Sequence, residues 1–168
     1  MPISSKPWNA VPKEPGIYAM YGGLPPRTWV AYVGQAGNVA QRLAQHLDRR
    51  SSSVATGTSA VGLNVDYVAY VAWWLHPSFR DKTHRLAAEL VAFRVLEPAL
   101  RSRGGIEQSA IDLSEDPQFA SDIKALLRGD PTGKYQLPAL PDLADRMADL
   151  EARLKRLEGL LPGHIPDR

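Results

Sequence analysis

Five residues of the 168-residue chain combine side chains able to move a proton, hold an anion and bind a hard cation: Tyr18, Tyr32, Arg42, His46 and Glu89. Histidine titrates near neutral pH and passes protons readily. A phenol of pKa about 10 is a poor base at pH 7 unless a neighbour lowers that value or takes its proton. Arginine offers a planar, permanently charged fork for a phosphate. A lone glutamate can hold one divalent cation, Mg²⁺ or Mn²⁺, when water and substrate oxygens fill the other positions. Singly, each has an ordinary explanation: Tyr18 and Tyr32 as strand aromatics, Arg42 and His46 as a solvated helix face, Glu89 as a solvent-facing helix residue. Their order along the chain gives the set its meaning. The chain has no cysteine, which excludes a thiol nucleophile, a disulfide framework and any cysteine-ligated zinc or iron–sulfur centre.

Positioning these residues falls to a few short elements. After a proline-rich lead-in through Pro15, residues 16–21 read as a strand, ended by the turn residues Gly22-Gly23-Leu24-Pro25-Pro26. A second strand over residues 28–33 is expected to stop at Gly34, and the short loop favours an antiparallel hairpin. Tyr18 and Tyr32 then fall on one face of the hairpin, one on each strand. Asn38 is a natural N-cap for a helix with apolar Val39, Leu43 and Leu47, its opposite face carrying Arg42, His46, Arg49 and Arg50. Arg42 and His46 lie one turn apart. Residues 51–60 are small and polar, a loop by composition. The β-rich run over residues 64–74 is expected to be the sheet's central strand. Asp81-Lys82-Thr83 opens a second helix, with Glu89 near its middle and Pro98 at its end. Residues 114–127 read as a small helix capped by Ser114, with Pro117 in its first turn. Gly129-Asp130-Pro131-Thr132-Gly133, Pro138 and Pro141 read as a linker.

Set in order, Gly16-Ile17-Tyr18, Tyr32-Val33-Gly34, Arg42, His46, Glu89 and Pro98-Ala99-Leu100 resemble the GIY-YIG endonuclease superfamily over about residues 14–103. Either tripeptide alone says little; the ordered set is specific. The resemblance implies an α+β fold, a three-stranded antiparallel sheet flanked by helices, and a metal-dependent DNA endonuclease that hydrolyses phosphodiester bonds. It assigns Tyr18 to activating the attacking water, with His46 to take up the proton, and Tyr32 to positioning water or phosphate. Arg42 would clamp the scissile phosphate, and Glu89 would be the metal ligand for Mg²⁺ or Mn²⁺. One position departs from the family pattern: Arg101 follows Pro98-Ala99-Leu100 where an Asn is usual. Arginine cannot accept a hydrogen bond, yet it can hold a phosphate.

Whole-chain charge is a modest +2, but its distribution is uneven: Met1 to Gly105 carries twelve Lys+Arg against six Asp+Glu. Arg49, Arg50, Arg85, Arg101 and Arg103 are the expected nucleic-acid contacts, each salt-sensitive. His76 and His84 are too loosely spaced for a metal pair and read as surface residues. The expected divisions are a nuclease domain over 11–103, a helical and linker region over 104–138, and a heptad-patterned helix over 139–168. In the last, Leu143, Met147, Leu150, Leu154, Leu157 and Leu161 alternate spacings of four and three, a seam suited to a homodimer or to docking on the domain itself. No apolar run reaches membrane-spanning length and the start is unlike a signal peptide, so a cytoplasmic location is the expectation. Two other readings stay open: a DNA-binding module of this fold with weak or no catalysis, and a protein-interaction adaptor using its C-terminal helix.

Overall fold

The expected hairpin forms. Strand β1 (Gly16–Gly22) pairs antiparallel with β2 (Trp29–Ala36), with Tyr18 opposite Gly34 and Met20 opposite Tyr32. The computed structural model describes residues 10–23, 27–47, 68–100, 105–137 and 140–158, and only the backbone of Leu47, residues 140–146 and Glu158. Arg49, Arg50, Arg101, Arg103, Leu161 and the loop at 51–60 therefore lie outside the described residues. After β2 come α1 (Val39–Leu47), β3 (Val68–Leu75), a 3-10 turn (Pro77–Arg80) and α2 (Lys82–Leu96). Helices α3 (Gln108–Glu115) and α4 (Pro117–Arg128), strand β4 (Gly133–Gln136) and helix α5 (Leu140–Glu158) complete the chain. No described helix is long and apolar enough to cross a membrane.

The protein is α+β, and its antiparallel sheet has four strands in the order β2-β1-β3-β4, not three. The fourth comes from the segment read as a linker: Tyr135 pairs with Val71 and Gly133 with Trp73. The β-rich run is accordingly one of two inner strands, beside β1, and its first residues, 64–67, lie outside the described residues. Strand β2 also continues past Gly34 to Ala36, because Gly34 sits in the ladder rather than in a turn.

Caps fix the helices. Gln41 N donates to Asn38 Oδ1 at 2.9 Å, and the lead-in supplies carbonyls of Glu14 and Pro12 to the amides of Val39 and Ala40. Asp81 Oδ1 accepts from His84 N at 2.9 Å to start α2. Ser114 caps nothing; it is buried inside α3, and its hydroxyl donates to the Ile111 carbonyl. The cap of α4 is Asp116, whose Oδ1 accepts from Phe119 N, with Pro117 in the first helical position where a missing N–H costs nothing. Arg94 is tied to the same corner, donating to the Ser114 carbonyl and hydroxyl at 3.2 and 3.0 Å.

The core lies on both faces of the sheet. Ile17, Ala19, Val33, Ala72 and Trp74 pack on one side against Ala88, Val91, Ala92 and Phe93 of α2 and Ala120, Ile123 and Leu127 of α4. Tyr18, Met20, Ala36, Val71 and Trp73 pack on the other against Val39, Ala40 and Leu43 of α1. Helix α4 packs in the same core as the sheet and α2, and β4 pairs with β3.

Candidate active site

Period-two alternation along β1 sends Tyr18 toward α1 and its neighbours Ile17 and Ala19 toward α2. The same alternation on β2 puts Tyr32 and Ala36 on the α1 side and Val33 on the α2 side. Strand β2 is thus an edge with one helix on each face. Its outer border is partly covered by the chain leaving α2: Ala99 N donates to the Val30 carbonyl, Leu100 N to the Ala31 carbonyl, and Leu100 bridges Tyr32. The Pro98-Ala99-Leu100 segment therefore docks beside one of the site tyrosines.

At the centre, the Tyr18 hydroxyl lies 2.9 Å from His46 Nε2. Tyr18 is 0% exposed and His46 3%, so neither faces open water. The His46 ring centroid is 6.0 Å from that of Tyr18 and 5.4 Å from that of Tyr32, and the two tyrosine rings are 6.2 Å apart. The helix geometry corrects the expected solvated face. Val39, Leu43 and His46 follow the i, i+4, i+7 spacing of one helical stripe, so His46 continues the apolar face and enters the core. Arg42 borders that stripe, half-buried, and donates to Gln45 Oε1.

Gly34 makes the tyrosine arrangement feasible. A Cβ there would lie 2.5 Å from the Tyr18 hydroxyl and 2.9 Å from Tyr32 Cε1, inside any allowed contact. Gly16 is closed in the same way, with the Trp74 carbonyl 2.9 Å from where its Cβ would be. Both glycines of the two tripeptides thus have a steric reason, Gly34 against Tyr18 and Tyr32 and Gly16 against Leu75, Trp74 and Val39.

Burial sets the electrostatics. It pushes the Tyr18 phenol well above its ordinary pKa, aided by Tyr32 and opposed by Arg42. It raises Tyr32 too, with the Glu89 charge adding and Arg42 opposing. It lowers His46 to about 4, with Arg42 next in effect, so the imidazole is neutral at pH 7. Glu89 is raised to about 7 by desolvation, against the pull of the Gln35 backbone N–H and the Arg42 charge. Arg42 acts on all four groups and Glu89 on both tyrosines, so residues from β1, β2, α1 and α2 form one electrostatic cluster. His46 Nδ1 is buried with no hydrogen-bond partner among the described residues. An orphan of that kind costs about 1–3 kcal/mol.

A metal fits this cluster in a limited way. Among the described residues there is no group of three His, Asp or Glu side chains able to cage an ion. Glu89 would be the one protein ligand, its poorly solvated carboxylate lacking the countercharge that a divalent cation brings. A hard cation that keeps most of its water suits such a site.

Beside the cluster, a cleft of about 290 Å³ opens between the end of β2, the start of α1 and the start of α2. It is lined by Gln35, Asn38, Gln41, Arg42, Gln45, Lys82 and Arg85 among others, with no acidic side chain. Arg85 was expected to contact nucleic acid; much of its guanidinium serves the fold, Nη1 donating to the Phe79 and Arg80 carbonyls and Nε to Gln35 Oε1. Lys82 pairs with Glu107. The cationic wall at Lys82 and the amide row of Gln35, Gln41 and Gln45 gave no motif, and only the folded arrangement brings them together. His76 and His84 are spent locally, on Ser78 and Asp81. Compared with protein-family models, with curated proteins and with solved structures, the chain has no match.

Proposed function

We propose that the chain is a metal-dependent endonuclease of the GIY-YIG kind, hydrolysing phosphodiester bonds in DNA. One observation carries this reading: a buried phenol in hydrogen-bond contact with a neutral imidazole, surrounded by one arginine and one half-protonated glutamate. The arginine can hold an anion and the phenol–imidazole pair can relay a proton, the two tasks that phosphodiester hydrolysis requires.

The resting site does not hold a separated phenolate–imidazolium pair. Burial disfavours both charges, raising Tyr18 and lowering His46. Proton movement must therefore accompany the arrival of substrate. A phosphate beside Arg42 offsets the positive charge that depresses His46, which makes the imidazole a better base. Tyr18 is fully buried at rest, so the attacking water reaches its oxygen only as substrate docks. Water then attacks phosphorus, its proton passes to the Tyr18 oxygen and the Tyr18 proton to His46 Nε2. The P–O bond opposite the water breaks, and the leaving sugar oxygen takes up a proton from solvent. Arg42 holds the non-bridging oxygens in the geometry of in-line displacement. Glu89 would bind Mg²⁺ or Mn²⁺, which supplies Lewis-acid stabilisation of the developing charge. The cleft, with Arg42, Arg85 and the Glu107-paired Lys82 in its lining, offers a path for the flanking backbone, and the expected contacts Arg49, Arg50, Arg101 and Arg103 stay with this proposal.

The test is cleavage of supercoiled plasmid by purified protein in Mg²⁺, Mn²⁺ or EDTA, wild type beside Glu89→Ala. The expected result is metal-dependent cutting that falls by roughly 100-fold or more in the variant, with DNA binding retained. An unimpaired Glu89→Ala would sink the mechanism. Salt-sensitive binding by a folded wild type that never cuts would move the reading to a DNA-binding module.

A further inference from the structure

Helix α5 carries an apolar seam that no part of the described chain covers. Met147, Leu150, Leu154 and Leu157 are 57–61% exposed, and every described α5 side chain from Met147 to Leu157 is exposed. A continuous line of large apolar side chains is a surface that soluble proteins reserve for a partner. In heptad terms Leu143, Leu150 and Leu157 fall at d, and Met147, Leu154 and Leu161 at a.

The charges flanking this seam identify the partner. Arg146 and Arg153 fall at g; Glu151 and Glu158 fall at e. In a parallel, in-register pair each g residue faces the following e residue of the other helix. Arg146 then meets the partner's Glu151 and Arg153 the partner's Glu158, and symmetry repeats both pairs. An antiparallel pair would set arginine against arginine and glutamate against glutamate. The pattern is self-complementary in one orientation only, which is the property expected of a helix that pairs with its own copy. We infer that α5 is a dimerisation helix, forming a parallel two-stranded coiled coil with a second copy of this chain. Arg153 lies against Asp149 of its own helix at 2.9 Å in the single chain. That exposed pair contributes little and yields readily to an interchain one.

This inference does not rest on the nuclease reading, and its test uses no activity. Light scattering of the full chain over a concentration series should reach twice the 18.5 kDa of one chain. Leu150→Glu/Leu157→Glu should return it to a monomer with an unchanged melting profile of the domain, because both positions are exposed. Arg146→Glu/Arg153→Glu alone should lose the dimer, and mixing it with Glu151→Arg/Glu158→Arg should restore one. Orientation is read by cross-linking, which is clean in a chain with no native cysteine. Met147→Cys should form a disulfide with its own copy under mild oxidation. A monomer throughout the series would overturn the inference. So would a trimer or larger species, or cross-linking seen only between Met147→Cys and Leu157→Cys chains, the antiparallel signature.

Discussion

Glu89 shows how one partly desolvated carboxyl ties the stability of the fold to pH. Its carboxyl titrates near 7 in the folded protein, against an ordinary value of 4.5, because burial disfavours the charged form. The folded state thus binds this proton more tightly than the unfolded chain. Its stabilising effect is fully present below pH 4.5 and is lost as pH rises through 7. Glu89→Gln, which keeps the shape and removes the charge, should be more stable than wild type at pH 8 by roughly 2–3 kcal/mol, the difference vanishing near pH 4.5. Urea unfolding at both pH values measures it, and equal differences at the two would refute the linkage. His46 works in the opposite sense: its depressed pKa costs stability as pH falls from 6.5 through 4. If Glu89 holds a cation as proposed, its proton competes with it, and a Mn²⁺ titration should show weaker binding as pH drops below about 7.

At the scale of elements, what the sequence made legible followed local rules, and what escaped depended on partners. The hairpin, the Asn38 and Asp81 caps and the shared face of Tyr18 and Tyr32 each follow from turn chemistry, capping or strand alternation. Strand β4 escaped because four residues hemmed by Gly129, Pro131 and Pro138 read as turn material. Its ladder is dictated by the waiting edge of β3, and the one local signal was the i, i+2 pair of Tyr135 and Leu137, both packed against the core. Ser114 was misleading as a cap, although Pro117 at a first helical position already pointed to Asp116. The burial of His46 was legible in principle from its i+7 spacing to Val39, and the preference of histidine for surfaces masked it. The end of α2 holds a feature with no sequence signal: Glu97, ahead of Pro98, adopts φ 45° and ψ 57°, a left-handed conformation unfavourable for a side chain with Cβ. Glu97→Gly should stabilise the fold by about 0.5–1 kcal/mol, while Glu97→Ala should change it by no more than about 0.3 kcal/mol. Equal midpoints for the two variants in denaturant would show that no strain is stored there.

At the scale of the whole molecule, charge and pairing divide the work. The twelve-to-six basic excess of residues 1–105 is followed by eight Lys+Arg against twelve Asp+Glu, so on the proposed nuclease reading the basic segment is the one that would draw in DNA. Within the acidic remainder α4 and β4 pack on the shared core, and only the exposed seam of α5 is proposed to meet a second chain. If both proposals hold, one cluster would attack one strand, and two clusters joined through α5 would bring a second centre to DNA already held by the first, the second cut gaining from a raised effective concentration. Plasmid cut by wild type should pass to the linear form with little nicked intermediate. The monomeric Leu150→Glu/Leu157→Glu chain should accumulate nicked circles, its first cut slowed by no more than about threefold because the cluster is untouched. A time course on supercoiled DNA at fixed metal separates the two rates. Identical ratios of nicked to linear product in both proteins would mean that each chain works alone, whatever its state of association.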